Sequence, residues 1–531
     1  MGAFPEGKSA LMLASARLPH VAGTKWGTRR YLDVNRLKCR REGCNLLASQ
    51  SGRRSGVLCF GSMRISFIGH ASILVESKNI SILSDPWWAG PCFGAQWWIH
   101  PKPFIEVLEK SKPEYIYLSH GHSDHLHPGT LARFDRNTKI LVARDLDIGP
   151  GLRKLGFTVL ELPDGEPVEL GSGVRATIRP TINDDSLLVV TDGKETCVNL
   201  NDALHATPLA VQDRFIAWLR KAHPSIDYLF CGYGTASHFP NCYRIPGKDY
   251  ERTAARRQHH FNSVWARIVQ ELKPKYAFPF AADVLLLEED LFWTNEPVHN
   301  AERPVHLLNG SGVPNDTQAI DLAPGFVIDA GEIKSRVLRS PIRREEIAEQ
   351  YKAQIEKANY CAEVAPAEIS AILPLLQNNL RVCEDYLTAF PGNYSVLLRF
   401  RNSEKGIVVA KAGQKLTAQT VSAEAAASGS FDLLFTTRLA YLKRSLESQH
   451  GNEIMFVGSG CLFDFPNAEM VSRGIHAEVR HIVRYHNSCP PPRYGNASPF
   501  IHKSKELVKR ALGLQETDLY DLEKWTLFSE R

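Results

Sequence analysis

The sequence predicts a layered α/β sandwich followed by a smaller α+β accessory domain. Three observations predict it. Short runs rich in Val, Ile, Leu and Tyr alternate with helical segments through residues 63 to 305. A cluster of imidazoles and carboxylates follows directly on one of those runs, at a strand end where loops carry sites. The chain has 531 residues, more than one typical domain, so two domains and a tail are expected.

Residues 1 to 62 stand apart from the rest. They hold eleven Lys or Arg against Glu6, Asp33 and Glu42, a charge of +8, which leaves 5 − 8 = −3 for the remainder. A basic stretch rich in Arg and Ser can be a targeting peptide or an acidic-partner contact. This one has little apolar periodicity, and the fold begins abruptly at Met63-Arg64-Ile65-Ser66-Phe67. It reads as a disordered or mis-extended N-terminal segment, with Met63 a candidate start. Cys39 and Cys44 lack nearby partner ligands and read as free thiols.

Tyr115-Ile116-Tyr117-Leu118 is a buried strand, and the metal-ligand cluster follows it. Lys139–Ala143 and Thr158–Leu162 are strands around a Gly149-Pro150-Gly151 turn and a short helix. Val174–Ile178 and Ser186–Val190 form a hairpin pair, with Asp192-Gly193 as the next turn. Cys197–Leu200 is a strand that delivers Asn201-Asp202, residues 208 to 221 have helical spacing, and Tyr228–Phe230 is strand again. Tyr250 to Leu272 is a long charged helix stopped by Lys273-Pro274. Composition shifts near Pro304 to Pro324, which places a linker at 306–342 between a catalytic domain, 63–305, and an accessory domain, 343–531. In the latter, 343 to 388 reads as two helices joined around Pro366, Tyr394–Phe400 and Gly406–Ala410 as a hairpin, and 431 to 448 as helical. This half has no concentrated ligand set and reads as a covering or dimerisation element. Gly458-Ser459-Gly460-Cys461 reads as a turn.

Eleven scattered cysteines fit a reducing compartment, and no window has the roughly 18 consecutive apolar residues of a spanning helix. The expected address is cytoplasmic. The net acidic region 63–531 has no basic stripe, so no nucleic-acid partner is expected.

The segment His120-Gly121-His122-Ser123-Asp124-His125 packs three imidazoles and a carboxylate into six positions. A lone histidine is ordinarily a core or surface residue, whereas this density is that of a metal site. His120 and His122, two apart, can converge on one cation. Asp124 and His125, past a turn, can face a second, as two-metal sites require. Asp202 ends a later strand and is the candidate bridging carboxylate, with Asn201 as support and a simple turn Asp as the alternative.

The motif resembles the signature of the metallo-β-lactamase superfamily. Phe67-Ile68-Gly69-His70-Ala71-Ser72-Ile73-Leu74-Val75 followed by Ile82-Leu83-Ser84-Asp85-Pro86 is similar to that fold's opening hairpin, with an early Asp that supports the metal loop. Asp85-Pro86-Trp87-Trp88, Trp97-Trp98, Asn199-Leu200-Asn201-Asp202, Ala236-Ser237-His238-Phe239-Pro240 and Pro279-Phe280-Ala281 resemble stretches of the CMP-N-acetylneuraminate hydroxylases. Phe390-Pro391-Gly392 and Thr437-Arg438-Leu439 echo them more weakly. The resemblance implies an αββα sandwich with the accessory domain at its C-terminus, and two divalent metal ions.

It also implies a histidine in the loop before Ser186–Val190 and another after Pro279-Phe280-Ala281. Here the loops offer Asp185 and Glu288 instead. The expected metal ligands are therefore His120, His122, Asp124, His125, Asp185, Asp202 and Glu288. Replacing imidazole by carboxylate suits iron or manganese better than zinc. Surface acids and a one-metal site are the alternative. His238, where the family has a small residue, is a candidate general acid beside Asp124, or a pocket-lining residue; His205 is an outside candidate. The four tryptophans can stack a ring at the site mouth or pack the core.

Three functions fit. The first is a di-iron oxygenase, a monooxygenase-like oxidoreductase hydroxylating a small organic substrate. The hydroxylases carry a Rieske iron–sulfur domain, and residues 1 to 62 contain only His20 and no Cys-x-His pattern, so an external electron donor is expected. The second is a dinuclear zinc or manganese hydrolase acting on an ester, amide or phosphodiester. The third is a scaffold with a degraded site. Oxygenase is favoured, with a homodimer as a further expectation.

Overall fold

The structure, a computed structural model, describes residues 62–485 except 145, 182–184, 235, 296–301, 312–315, 338–342, 354–366, 389–391, 402, 449 and 473. The N-terminal basic segment, Cys39, Cys44, His20, His299, Pro366 and Phe390-Pro391 lie outside the described residues.

Two sheets face each other. The first runs, in spatial order, Glu332–Ser335, Val327–Asp329, Arg64–Gly69, Ser72–Ser77, Ile80–Ser84, Tyr115–Tyr117, Lys139–Ala143 and Thr158–Leu162. The second runs Gln318–Ala319, Tyr276–Phe280, Tyr228–Gly232, Thr196–Asn201, Ser186–Thr191, Val174–Pro180 and Val168–Gly171. Alternation decides which face each side chain takes. Leu188 and Val190 point inward with Ile65, Phe67, Ile140 and Phe230, whereas Leu187 and Val189 point outward with Phe215, Ile216 and Trp265. That outer face is covered by helices Leu209–Ala222 and Tyr250–Leu272, so the strands are buried on both sides and read as continuous apolar runs. On the other outer face Ile68, Leu74 and Leu83 pack under Trp88, Leu108 and Phe134. The result is the αββα sandwich the resemblance implied.

Local chemistry sets the limits of the long helix. The Asp249 carboxylate accepts from Arg252 N at 2.8 Å, an N-cap. At the other end Lys273 takes a left-handed conformation, φ 48°, ahead of Pro274.

The segment expected as a linker at 306–342 is instead structural. Gln318–Ala319 extends the second sheet, and Val327–Asp329 pairs with Arg64–Gly69, with Ile328 opposite Ile65. Ile320, Phe326 and Ile328 enter the inter-sheet core, which the glycine and proline content of the stretch concealed.

The second unit is a six-stranded sheet ordered Tyr243–Arg244, Cys461–Asp464, Leu433–Thr437, Tyr394–Phe400, Ser403–Ala412 and Lys415–Val421. Helices Arg344–Gln350 and Ile369–Thr388 and the Tyr394–Phe400 hairpin match the sequence reading. The expected helix over 431 to 448 is only half right. Leu433, Phe435 and Thr437 alternate inward as a strand, and the helix covers Leu439–Glu447. The sheet's first strand, Tyr243–Arg244, comes from the sandwich half of the chain and pairs in parallel with Cys461–Asp464. Trp87, Phe93, Phe239 and Tyr243 share one core with Phe435, Phe456 and Phe463, so the halves are packed together. No described helix is long and apolar enough to cross a membrane.

Candidate metal centre

The site lies at one rim of the sandwich, where five strand ends meet. Tyr115–Tyr117 leads into the His120–His125 loop, Thr196–Asn201 into Asp202, Tyr228–Gly232 into Tyr233 and Gly234, and Tyr276–Phe280 into Ala281 and Ala282. The turn between Arg64–Gly69 and Ser72–Ser77 brings His70 to the same rim.

The loop is held from behind by Asp85, fully buried at the end of Ile80–Ser84. Its Oδ1 accepts from Ser119 N at 2.8 Å, and its Oδ2 lies 3.1 Å from His125 Nδ1. A carboxylate on Nδ1 fixes the ring and turns Nε2 toward the centre, the arrangement that tunes a metal-binding imidazole.

Two groups converge. His120, His125 and Asp202 form one, and His70, Asp124 and His125 the other, with the ligand atoms of each within 4.8 Å of one another. His120 Nε2 is 2.9 Å from His122 Nδ1. His125 Nε2 is 3.2 Å from Asp124 Oδ2 and 3.4 Å from Asp202 Oδ2. The structure thus brings together His120, His122, Asp124, His125 and Asp202.

Asp124 Oδ1 and Asp202 Oδ1 are buried with no hydrogen-bond partner, and His125 Nε2 meets only the two carboxylates. Leaving such atoms bare costs about 1–3 kcal/mol each, and more for charged groups. Oxygen and nitrogen donors at this density fit divalent cations. The electrostatics agree. Burial opposes ionisation of Asp124, yet His125 and His70 hold its carboxyl well below the usual range. Burial likewise opposes a charge on His125, but Asp124 and Asp85 raise it well above an ordinary imidazole. Burial and the neighbouring His125 and His122 push His120 well down. Asp124 and Asp202 are thus both held ionised among buried imidazoles, which favours a bound cation.

Other expected residues fall elsewhere. Asp185 Oδ1 lies 3.2 Å from His120 Nδ1, while the ring's Nε2 faces His122. That places Asp185 behind His120, as Asp85 is behind His125, and not beside His122. Glu288 is not in the cluster. Its carboxylate is paired with Arg438 at 2.6 Å and Arg401 at 3.9 Å and accepts from Gln96 at 3.2 Å, so its charge is already compensated. His238 is fully buried among Tyr243, Phe456 and Phe463, with Nδ1 3.0 Å from Phe456 O, and serves packing between the halves. His205 Nε2 is 2.8 Å from Gly234 O, which fixes the loop beside Asp202. Asn201, at φ 46°, makes the turn into Asp202, but its buried amide has no partner.

Sequence reasoning passed over His70. It is buried, its Nε2 is 3.1 Å from Asp124 Oδ2, and it sits at φ 50°, an uncommon conformation for a non-glycine residue. The signal was present: it directly follows the buried strand Arg64–Gly69, at a strand end where loops carry sites.

Above the cluster opens a cleft of about 700 Å³ including its mouth. Trp97, Val284 and Leu286 wall one side, from the two-stranded sheet Trp97–Ile99 and Val284–Leu286, and Tyr233, Asn241 and Gln258 another. Ser459, at φ 67°, reaches it from the second unit. Of the four tryptophans only Trp97 lines the cleft; Trp87 is fully buried, edge to face with His70 at 5.1 Å.

The αββα sandwich and its strand-end cluster are similar to those of a metallo-β-lactamase-type domain. Residues 64–186 match the family model described as a beta-lactamase superfamily domain. Over 322 residues the chain is 24% identical to a putative Rieske 2Fe-2S iron–sulfur protein of Mycobacterium tuberculosis, covering 57% of this chain and 60% of that relative. It is 38% identical over 72 residues to the cytidine monophosphate-N-acetylneuraminic acid hydroxylase of Asterias rubens, covering 13% of this chain and 11% of that one. The chain therefore spans about three fifths of the first relative's length and a small part of the second. Among solved structures, the metallo hydrolase Igni18 of Ignicoccus hospitalis aligns with 50% of this chain and 97% of its own, at 16% identity and a TM-score of 0.35.

Proposed function

We propose that the protein is a metal-dependent oxygenase, with a two-iron centre, that hydroxylates a small organic substrate. The observation that carries it is the convergence of His120, His122, Asp124, His125 and Asp202, of which Asp124 and Asp202 line a cleft also lined by Trp97, Val284 and Leu286. In this reading His120, His122, Asp124, His125 and Asp202 would hold the two ions. Bound iron supplies the redox chemistry that activates dioxygen.

The chain's own groups do the rest. Asp85 and Asp185 fix the rings of His125 and His120. Asp124, whose carboxylate is kept ionised by His125 and His70, lines the cleft and is the group placed to orient the reacting molecule. The apolar wall excludes water from the floor and orients the substrate. Likeness to a protein described as a Rieske iron–sulfur protein and to a hydroxylase supports oxidative chemistry, with electrons from an external donor.

The same position of Asp124 at the cleft supports a second reading, hydrolysis, in which its carboxylate would orient an attacking water beside a zinc or manganese pair. Metal analysis of protein purified without oxygen or added metal separates the two, with visible or Mössbauer spectra before and after air. Two irons per chain and a spectrum that changes in air support the oxygenase. Zinc with no response to air overturns it in favour of the hydrolase.

A further inference from the structure

The resemblance puts a histidine in the loop after Tyr276–Phe280, to join Asp124, His125 and Asp202 at the second ion, and the described residues of that loop do not provide one. Its first residues are Ala281 and Ala282. The next, Asp283, accepts from the Tyr233 hydroxyl at 2.9 Å and lies 3.6 Å from Arg303. Glu288 is paired with Arg438.

We propose that His70 supplies the missing ligand, so that the opening hairpin takes over a role expected of the late loop. This rests on reading the cluster as a two-ion centre. The geometry is direct: His70 Nε2 is 3.1 Å from Asp124 Oδ2, which is itself 3.2 Å from His125 Nε2. All three residues have a donor atom within 4.8 Å of the others'. The late loop docks on this histidine, Ala281 N donating to His70 O at 3.1 Å, so His70 stands where that loop would have delivered a side chain. The backbone at φ 50° holds the ring over the floor of the cleft, and Trp87 closes its far side.

Cobalt(II) titration of the metal-stripped full chain, followed by visible absorption and by metal count after gel filtration, tests this without any activity. The native chain takes up two equivalents. His70→Ala takes up the first normally and binds the second at least tenfold more weakly. His70→Gln gives the same loss should the alanine variant fail to fold. Ala281→His in the His70→Ala background restores the second equivalent, because the backbone bond places it next to the vacated ring. Two equivalents bound by His70→Ala and His70→Gln with native affinity overturn the assignment while leaving the two-ion centre intact. One equivalent or none in the native chain overturns the two-ion reading itself, and His70's role with it.

Discussion

Asp85 Oδ2 stands 3.1 Å from Nδ1 of His125, and both side chains are fully buried. This pair links the opening hairpin to the ligand loop, because the second oxygen of Asp85 holds Ser119 N at 2.8 Å.

Asp85→Asn keeps an oxygen for Ser119 but removes the charge that fixes the ring. Metal affinity is expected to fall about 10- to 100-fold, the usual effect of losing a partner behind a ligand. Competition with a chromophoric chelator measures it. Native affinity in the variant would mean that His125 needs no partner to face the centre.

Glu288→Gln is expected to keep the native metal content and to lose stability. The residue is about one-tenth exposed and is the partner of Arg438, and breaking such a buried pair costs about 3 kcal/mol. Urea unfolding and metal analysis on the same sample check both parts. A lost ion would return Glu288 to the ligand set.

His238→Phe should leave ion content unchanged and cost about 1 kcal/mol for the bond to Phe456 O. If the variant keeps its stability and loses metal, His238 belongs to the centre after all.

Burial, aided by Arg480, pushes His476 down to about 4 in the folded protein, against about 6.5 when unfolded. Protonation therefore favours the unfolded chain. The contribution is complete above pH 6.5 and is lost as pH falls toward 4, at up to about 1.4 kcal/mol per pH unit. His127, pushed down to about 4 chiefly by burial, acts in the same direction. His476→Phe, seated between Tyr243 and Phe465, should flatten stability between pH 6.5 and 4. Thermal melts across that range give the slope, and an unchanged slope refutes the assignment.

The ligand loop was legible because its spacing is local: His120, His122, Asp124 and His125 lie within one turn after one strand. Asp202 was legible for the same kind of reason, as an acid at a strand end. Strand alternation likewise exposed the sandwich. What escaped was non-local. Whether Asp185 meets an ion or the back of His120 depends on which ring nitrogen faces His122. Glu288 read as a ligand because nothing near it in sequence announces Arg438, 150 residues away. His70 read as scaffold because its neighbours in sequence are apolar and its neighbours in space are not. The strands at 318–319 and 327–335 were concealed by turn residues, since short paired edges owe their place to the strands already there.

Trp97, Val284 and Leu286 belong to the sandwich half, yet the wall they form is braced from the other half: Tyr441 donates to Gly94 O and accepts from Gln96, and Arg438 grips Glu288. The cluster and the bracing of the cleft wall thus come from separable stretches of sequence. Substitutions on helix Leu439–Glu447 can reshape what enters while every donor to the metals stays untouched, a route by which one catalytic floor could be adapted to successive substrates.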